Sequence, residues 1–132
     1  MSYLLDTHTL IWAVTDPRKL SKPVIRILED TNQEVWVSAI SFWEISLKHS
    51  IQKLHLEGLV PEDFTKAAID TGFQLLDLDG ATAVSYHKLS ANYHRDPFDR
   101  MLIWQALQTG YTLISKDETI KKYTSEGLNV IW

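Results

Sequence analysis

The chain has 132 residues, a formal charge of −4 at pH 7 and no cysteine, with a pI near 5.7. That length suits one domain, residues 1–132, built around a single core. The missing cysteines remove disulfide frameworks, thiolate metal sites and cysteine nucleophiles, and the acidic balance argues against broad nucleic-acid binding through a basic face. The N-terminus lacks a basic leader and its apolar run is cut at Asp6, so neither a signal peptide nor a membrane anchor is expected and the protein reads as cytoplasmic.

Tyr3-Leu4-Leu5 is a short apolar run, and Thr7 to Val14 has helical spacing, which puts Asp6 on a strand-to-helix turn. Asp16-Pro17 breaks that helix, and Ser21 caps a second one through Val24, Ile25, Ile27 and Leu28. Glu34 to Ser38 is β-branched and aromatic and predicts a strand; Ser41 is then expected to open a helix with Glu44 in its first turn. Further helices are predicted from Pro61 and from Gly80 to Leu89, with a strand over 73–76 between them. Asp96-Pro97 is an N-cap followed by proline at the first helical position, and it opens an apolar helix running to about Gln108, with Gly110 as its stop. Tyr111 to Ser115 is a strand ending at Lys116-Asp117; a short helix from Glu118 to Tyr123 and a last strand over 129–132 complete the chain.

Five strands alternating with helices predict an α/β fold with a parallel sheet covered on both faces. In such sheets ligands bind beyond the carboxyl ends of the strands, where strand order reverses. Asp6 and Asp117 meet there if their strands are neighbours, and Glu44 belongs to the same edge. Asp99 begins a helix that precedes a strand, so it reaches that edge only through a long preceding connection, which Ser90 to Arg95 supplies. Converging carboxylates repel unless a cation intervenes, and all-oxygen ligands suit hard ions such as Mg²⁺ or Mn²⁺. The matching chemistry is metal-assisted attack of water on a phosphodiester. Acids at helix starts are equally at home as caps that complement the helix dipole, and spacing alone does not separate the two.

Four stretches, Leu4-Leu5-Asp6-Thr7-His8, Ser38 to Ile45, His94 to Arg100 and Ile114 to Asp117, resemble the PIN-domain ribonucleases, specifically the VapC-like toxins of bacterial type II toxin–antitoxin pairs. The resemblance spans nearly the whole chain in the right order. It implies that Asp6, Glu44, Asp99 and Asp117 are the catalytic acidic quartet and hold the metal, with Asp6 and Asp99 its principal ligands. It also implies a central five-stranded parallel sheet, endoribonuclease activity dependent on Mg²⁺ or Mn²⁺, an antitoxin that covers or enters the acidic groove, and a homodimer. Asp96 matches a recurrent acid outside the quartet and is open between a capping and a metal-site role.

Around these acids, Lys48 is either an i,i+4 partner of Glu44 or a phosphate contact. Arg100 and Lys116 are further phosphate-contact candidates, whereas Arg95 is expected to be a solvated charge. Thr7 and Ser115 can orient ligand carboxylates or metal-bound water, and Thr7 can equally cap its helix. His8, His94, His49 and His55 read as structural or exposed, and Trp12, Trp36, Trp43 and Trp104 as core. Two other functions fit acids at strand ends: a phosphoaspartyl phosphotransferase or receiver-like domain, and a noncatalytic protein-binding module. Against the first, Asp6-Thr7-His8 lacks a paired second acid.

Overall fold

The computed structural model describes residues 1–132. Its centre is a five-stranded, wholly parallel sheet: β1 Ser2–Leu5, β2 Glu34–Ser38, β3 Gln74–Leu76, β4 Thr112–Ile114 and β5 Val130–Ile131, in the order β3-β2-β1-β4-β5. From β1 the chain builds outward through β2 and β3, then returns to lay β4 on the other side of β1. The order therefore reverses between β1 and β4, whose ends are in register at Leu5 and Ile114. The backbone N–H of Asp6 continues this pairing, donating to Ile114 O at 3.1 Å.

Period-two alternation explains why helices cover both faces. Tyr3, Leu5, Val35, Val37 and Ile114 enter one core with Leu10 of α1 (Thr7–Thr15), Val24 of α2 (Lys22–Glu29), Ile45 of α3 (Ala39–Ser50), and Phe64 and Ala68 of α4 (Glu62–Thr71). Leu4 and Leu113 enter the other core with Leu102, Ile103 and Ala106 of α6 (Pro97–Thr109) and Ile120 of α7 (Glu118–Lys121). Leu4, Leu5, Leu10, Leu102 and Leu113 are completely buried, each contributing roughly 1.5–3 kcal/mol by leaving water. No helix is long and apolar enough to cross a membrane.

Three local differences from the sequence reading have physical causes. Ser38 both ends β2 and caps α3: its hydroxyl accepts from Ile40 N–H at 3.0 Å and donates to Gln105 Oε1 at 2.5 Å. The helix thus starts ahead of Ser41, and Glu44 lies in the second turn instead of the first. The expected helix over 80–89 divides into α5 (Gly80–Ser85) and a 3-10 turn over Tyr86–Lys88. Trp43 is not core: it is 58% exposed and meets the Phe98 ring edge-on at 5.1 Å.

α6 forms as its sequence indicates. The Asp96 carboxylate accepts from Phe98 N–H at 2.8 Å, Pro97 occupies the first turn, and Gly110 closes the helix in a left-handed conformation at φ 76°. An Asp-Pro start and a Gly stop match the donors and acceptors that a helix leaves free at its ends.

Candidate metal centre

The carboxyl ends of β1 and β4 border a cleft of about 400 Å³ lined by Asp6, His8, Trp12, Asp99, Lys116 and Asp117. Asp6 and Asp117 reach it for the same local reason: each lies in the short turn between a strand and a helix, and each caps that helix. Asp6 Oδ1 accepts from Thr9 N–H at 2.8 Å, and Asp117 Oδ1 accepts from Thr119 N–H at 2.7 Å. Ser115, completely buried, acts to lower the Asp6 pKa, and its hydroxyl accepts from Asp117 N–H at 3.1 Å. The caps leave the remaining oxygens of both acids for other work.

Asp99 comes from the first turn of α6, one turn after the capping Asp96. Burial, followed by the charges of Asp96 and Glu44, pushes its carboxyl up to about 7, and Asp6 adds to this. Asp6 is also raised, by burial against the opposing influence of Ser115 and Thr9. Asp117 shows the opposite sign. Burial acts to raise it, but hydrogen bonds from His94, Thr119 and Ile120 outweigh that effect and hold it below the usual carboxylate range. Carboxylates crowded into a half-buried cleft disfavour their own ionisation, and a bound cation relieves this.

Glu44 stands behind the cleft instead of in its wall. Its carboxylate is buried, with Oε1 accepting from the Thr7 hydroxyl at 2.6 Å and Oε2 paired with Lys48. Thr7 therefore does not cap α1, because Asp6 does; its side chain links α1 to α3, with Ser41 Oγ also 3.1 Å away. Lys48 realises the i,i+4 pair. Burial acts to lower its pKa, but Glu44, Asp96 and Asp99 outweigh that and raise it.

Arg100 corrects the expectation of a phosphate contact. Its guanidinium donates to Leu89 O at 2.8 Å, Ala91 O at 2.7 Å, Tyr86 Oη at 2.7 Å and Tyr123 Oη at 2.9 Å. Four of the five N–H donors are engaged, three of them in pinning the segment before α6, which is the long connection that Asp99 requires. Arg95 is exposed, as a solvated charge should be. Lys116 does line the cleft, its ammonium 5.9 Å above the Trp12 ring. Trp12 is half-buried: it packs on the core, meets Trp132 at 5.8 Å, and shows part of its ring to the cleft.

His94 is the site residue that sequence reasoning missed. Its Nε2 lies 3.0 Å from Asp99 Oδ2 and 3.0 Å from Asp117 Oδ2. Oxygen and nitrogen atoms of these three residues fall within 4.8 Å of one another, close enough to hold a metal ion. The only sequence signal was its place just ahead of Asp96-Pro97, because the contact depends on the fold of residues 89–95. Asp6, Asp99 and Asp117 thus share one cleft, with Glu44 and Asp96 acting on Asp99 through their charge.

Known proteins share this fold. Ribonuclease VapC22 of Mycobacterium tuberculosis is 22% identical over 129 residues, covering 98% of this chain and 97% of that protein. The structure of VapBC2 from Rickettsia felis bound to a promoter DNA fragment superposes with a TM-score of 0.71 at 15% identity, covering 99% of this chain and 98% of the other. DNA-bound VapBC from Salmonella typhimurium gives 0.70 at 19% identity, covering 99% and 97%. The PIN-domain profile matches residues 3–126. A parallel sheet in this order, an acidic cleft at its switch point and a profile match over nearly the whole chain make one statement: the chain belongs to the PIN-domain family.

Proposed function

We propose that this protein is a metal-dependent endoribonuclease and the toxin of a type II toxin–antitoxin pair. The observation that carries the reading is the convergence of Asp6, Asp99 and Asp117 on one cleft at the sheet's switch point, where burial and neighbouring acids push the Asp99 carboxyl up. The carboxylates of Asp6, Asp99 and Asp117 fit a hard divalent cation, Mg²⁺ or Mn²⁺, with Glu44 as a charge behind them. When bound, such an ion activates water and offsets charge on a phosphodiester under attack.

The chain's own residues do the positioning. Ser115 holds the Asp117 backbone, and Thr7 and Lys48 fix Glu44. Lys116 is the cation at the cleft wall and would meet a substrate phosphate; the cleft-facing part of Trp12 offers a base a surface to stack on. An RNA substrate, an antitoxin that closes the cleft, a homodimer and a cytoplasmic setting belong to the same proposal. The resemblance to VapC22 and to VapBC assemblies supports it.

The test is cleavage of a mixed-sequence RNA by the purified protein with Mg²⁺ or Mn²⁺, alongside the same reaction with chelator and with Asp99→Asn. Cleavage that needs the ion and the carboxylate supports the reading. Equal cleavage in all three reactions, or none in any, refutes it. Acyl-phosphate formation on Asp6 would instead favour a phosphotransferase.

A further inference from the structure

His94 has the position of a metal ligand and the hydrogen bonding of something else. Its Nδ1 accepts from the backbone N–H of Asp96 at 3.1 Å, which leaves the ring proton on Nε2. That nitrogen faces Asp117 Oδ2 and Asp99 Oδ2, both at 3.0 Å. An Nε2 that carries its proton has no lone pair for a cation, so the three-residue cluster is not a His-Asp-Asp ligand set as it stands. It is a donor hydrogen-bonded to Asp117 Oδ2, with Asp99 Oδ2 standing at the same distance.

The backbone around His94 is held. Its N–H donates to Tyr123 Oη at 3.1 Å, Arg100 reaches its carbonyl at 3.4 Å, and Tyr123 is completely buried. The Asp96 N–H that fixes the ring also belongs to the capping residue of α6, so loop and helix start together determine which nitrogen faces the acids. A cation taking oxygens from Asp99 and Asp117 would meet a ring N–H that is hydrogen-bonded to Asp117 Oδ2 and 3.0 Å from Asp99 Oδ2.

We propose that His94 is a positioning residue that holds Asp99 and Asp117 together in the cation-free protein through its Nε2–H, and that it is displaced, not recruited, when a cation takes those carboxylates. This rests on the cation-site reading above and deepens it. His94 and the ion compete for the same oxygens, so removing the imidazole strengthens cation binding, first by removing the competitor and second by leaving the two acids without a donor between them. A ligand histidine predicts the reverse.

The experiment is calorimetric titration of Mn²⁺ into the wild-type protein and His94→Ala without RNA, with nitrogen NMR of the wild-type imidazole as Mg²⁺ is added. We expect the Mn²⁺ dissociation constant to fall fivefold or more in His94→Ala. We also expect the wild-type ring to keep its proton on Nε2 throughout while the Nε2–H loses its hydrogen-bonded chemical shift. Equal or weaker binding by His94→Ala, with wild type binding Mn²⁺ normally, overturns this inference and leaves the cation site standing. Mn²⁺ binding by neither protein overturns both. If His94→Ala does not fold, the NMR arm decides alone: movement of the ring proton to Nδ1 on adding Mg²⁺ means Nε2 has become a ligand and the inference is wrong.

Discussion

Thr7 and Glu44, thirty-seven positions apart in the chain, meet in buried space where the threonine hydroxyl lies 2.6 Å from Glu44 Oε1. This bond joins the helix after β1 to the helix after β2, and it keeps one oxygen of a buried carboxylate satisfied. Thr7→Val keeps the shape and removes the donor. It should cost about 1.5–3 kcal/mol in urea unfolding, the usual range for a hydrogen bond to a charged group. RNA cleavage should fall as well, because Glu44 is then free to turn. A loss under about 0.5 kcal/mol would mean that Lys48 suffices to hold Glu44.

The crowding around Asp99 makes the cation-free protein sensitive to pH. Its folded pKa of about 7 lies above the ordinary aspartate value of 3.8, so between these values the folded state binds more protons than the unfolded state. The stability it contributes is fully present below about 4 and is lost as pH rises toward 7. With chelator present, Asp99→Asn should therefore raise the melting temperature at pH 8 by about 4 °C or more, and change it less at pH 5. An equal change at both pH values would contradict the raised pKa. The same substitution should abolish cleavage.

Arg100 offers a direct contrast between holding the fold and holding a phosphate. Arg100→Lys keeps the charge but cannot reach Leu89 O, Ala91 O, Tyr86 and Tyr123 together. It should cost on the order of 2 kcal/mol of stability, with several backbone acceptors left short of a partner. Activity should drop through kcat, since His94 and Asp99 flank the segment it pins, with KM for RNA little changed. A rise in KM at unchanged stability would restore the phosphate role.

Asp96 caps α6 and also adds to the field on Asp99. Asn is as good a cap as Asp, so Asp96→Asn should leave stability nearly unchanged while Asp96→Ala costs about 1 kcal/mol. Both substitutions remove a negative charge that raises Asp99, so both should lower the pH at which Asp99 ionises, as followed by carboxyl carbon NMR. An unmoved Asp99 titration would place Asp96 too far away to matter. A tenfold rise in the metal concentration needed by Asp96→Asn would give it a part in the metal site.

The features readable in the sequence are those fixed by neighbours along the chain. Asp96-Pro97 and Gly110 mark the ends of α6 because capping is decided within a turn. Val35 and Val37 alternate with Trp36 because a strand has two sides. Residues whose surroundings arrive from elsewhere were not readable. Trp43 sits in an apolar run yet faces outward; Arg100 stands among acids yet spends its donors on carbonyls nine and eleven positions back and on Tyr123. His94 acquires its partners from α6 and from the end of β4, which no local pattern encodes. Ser38 misled because one residue closes a strand and starts a helix at once.

Asp6 and Asp117 each start a helix with one oxygen and face the cleft with the other. Silencing and misfolding are therefore separable by the choice of replacement. Asparagine satisfies the helix start while surrendering the charge, whereas alanine forfeits both. An aspartate codon becomes an asparagine codon by a single G-to-A change in its first base. A cell escaping the toxicity proposed for this protein thus has a one-nucleotide route at either position to a folded, inert chain that still presents its outer surface to a partner. Genetic selections for survivors should recover Asn at 6 and 117 among the soluble products, and Ala, Val or Gly there chiefly among the degraded ones.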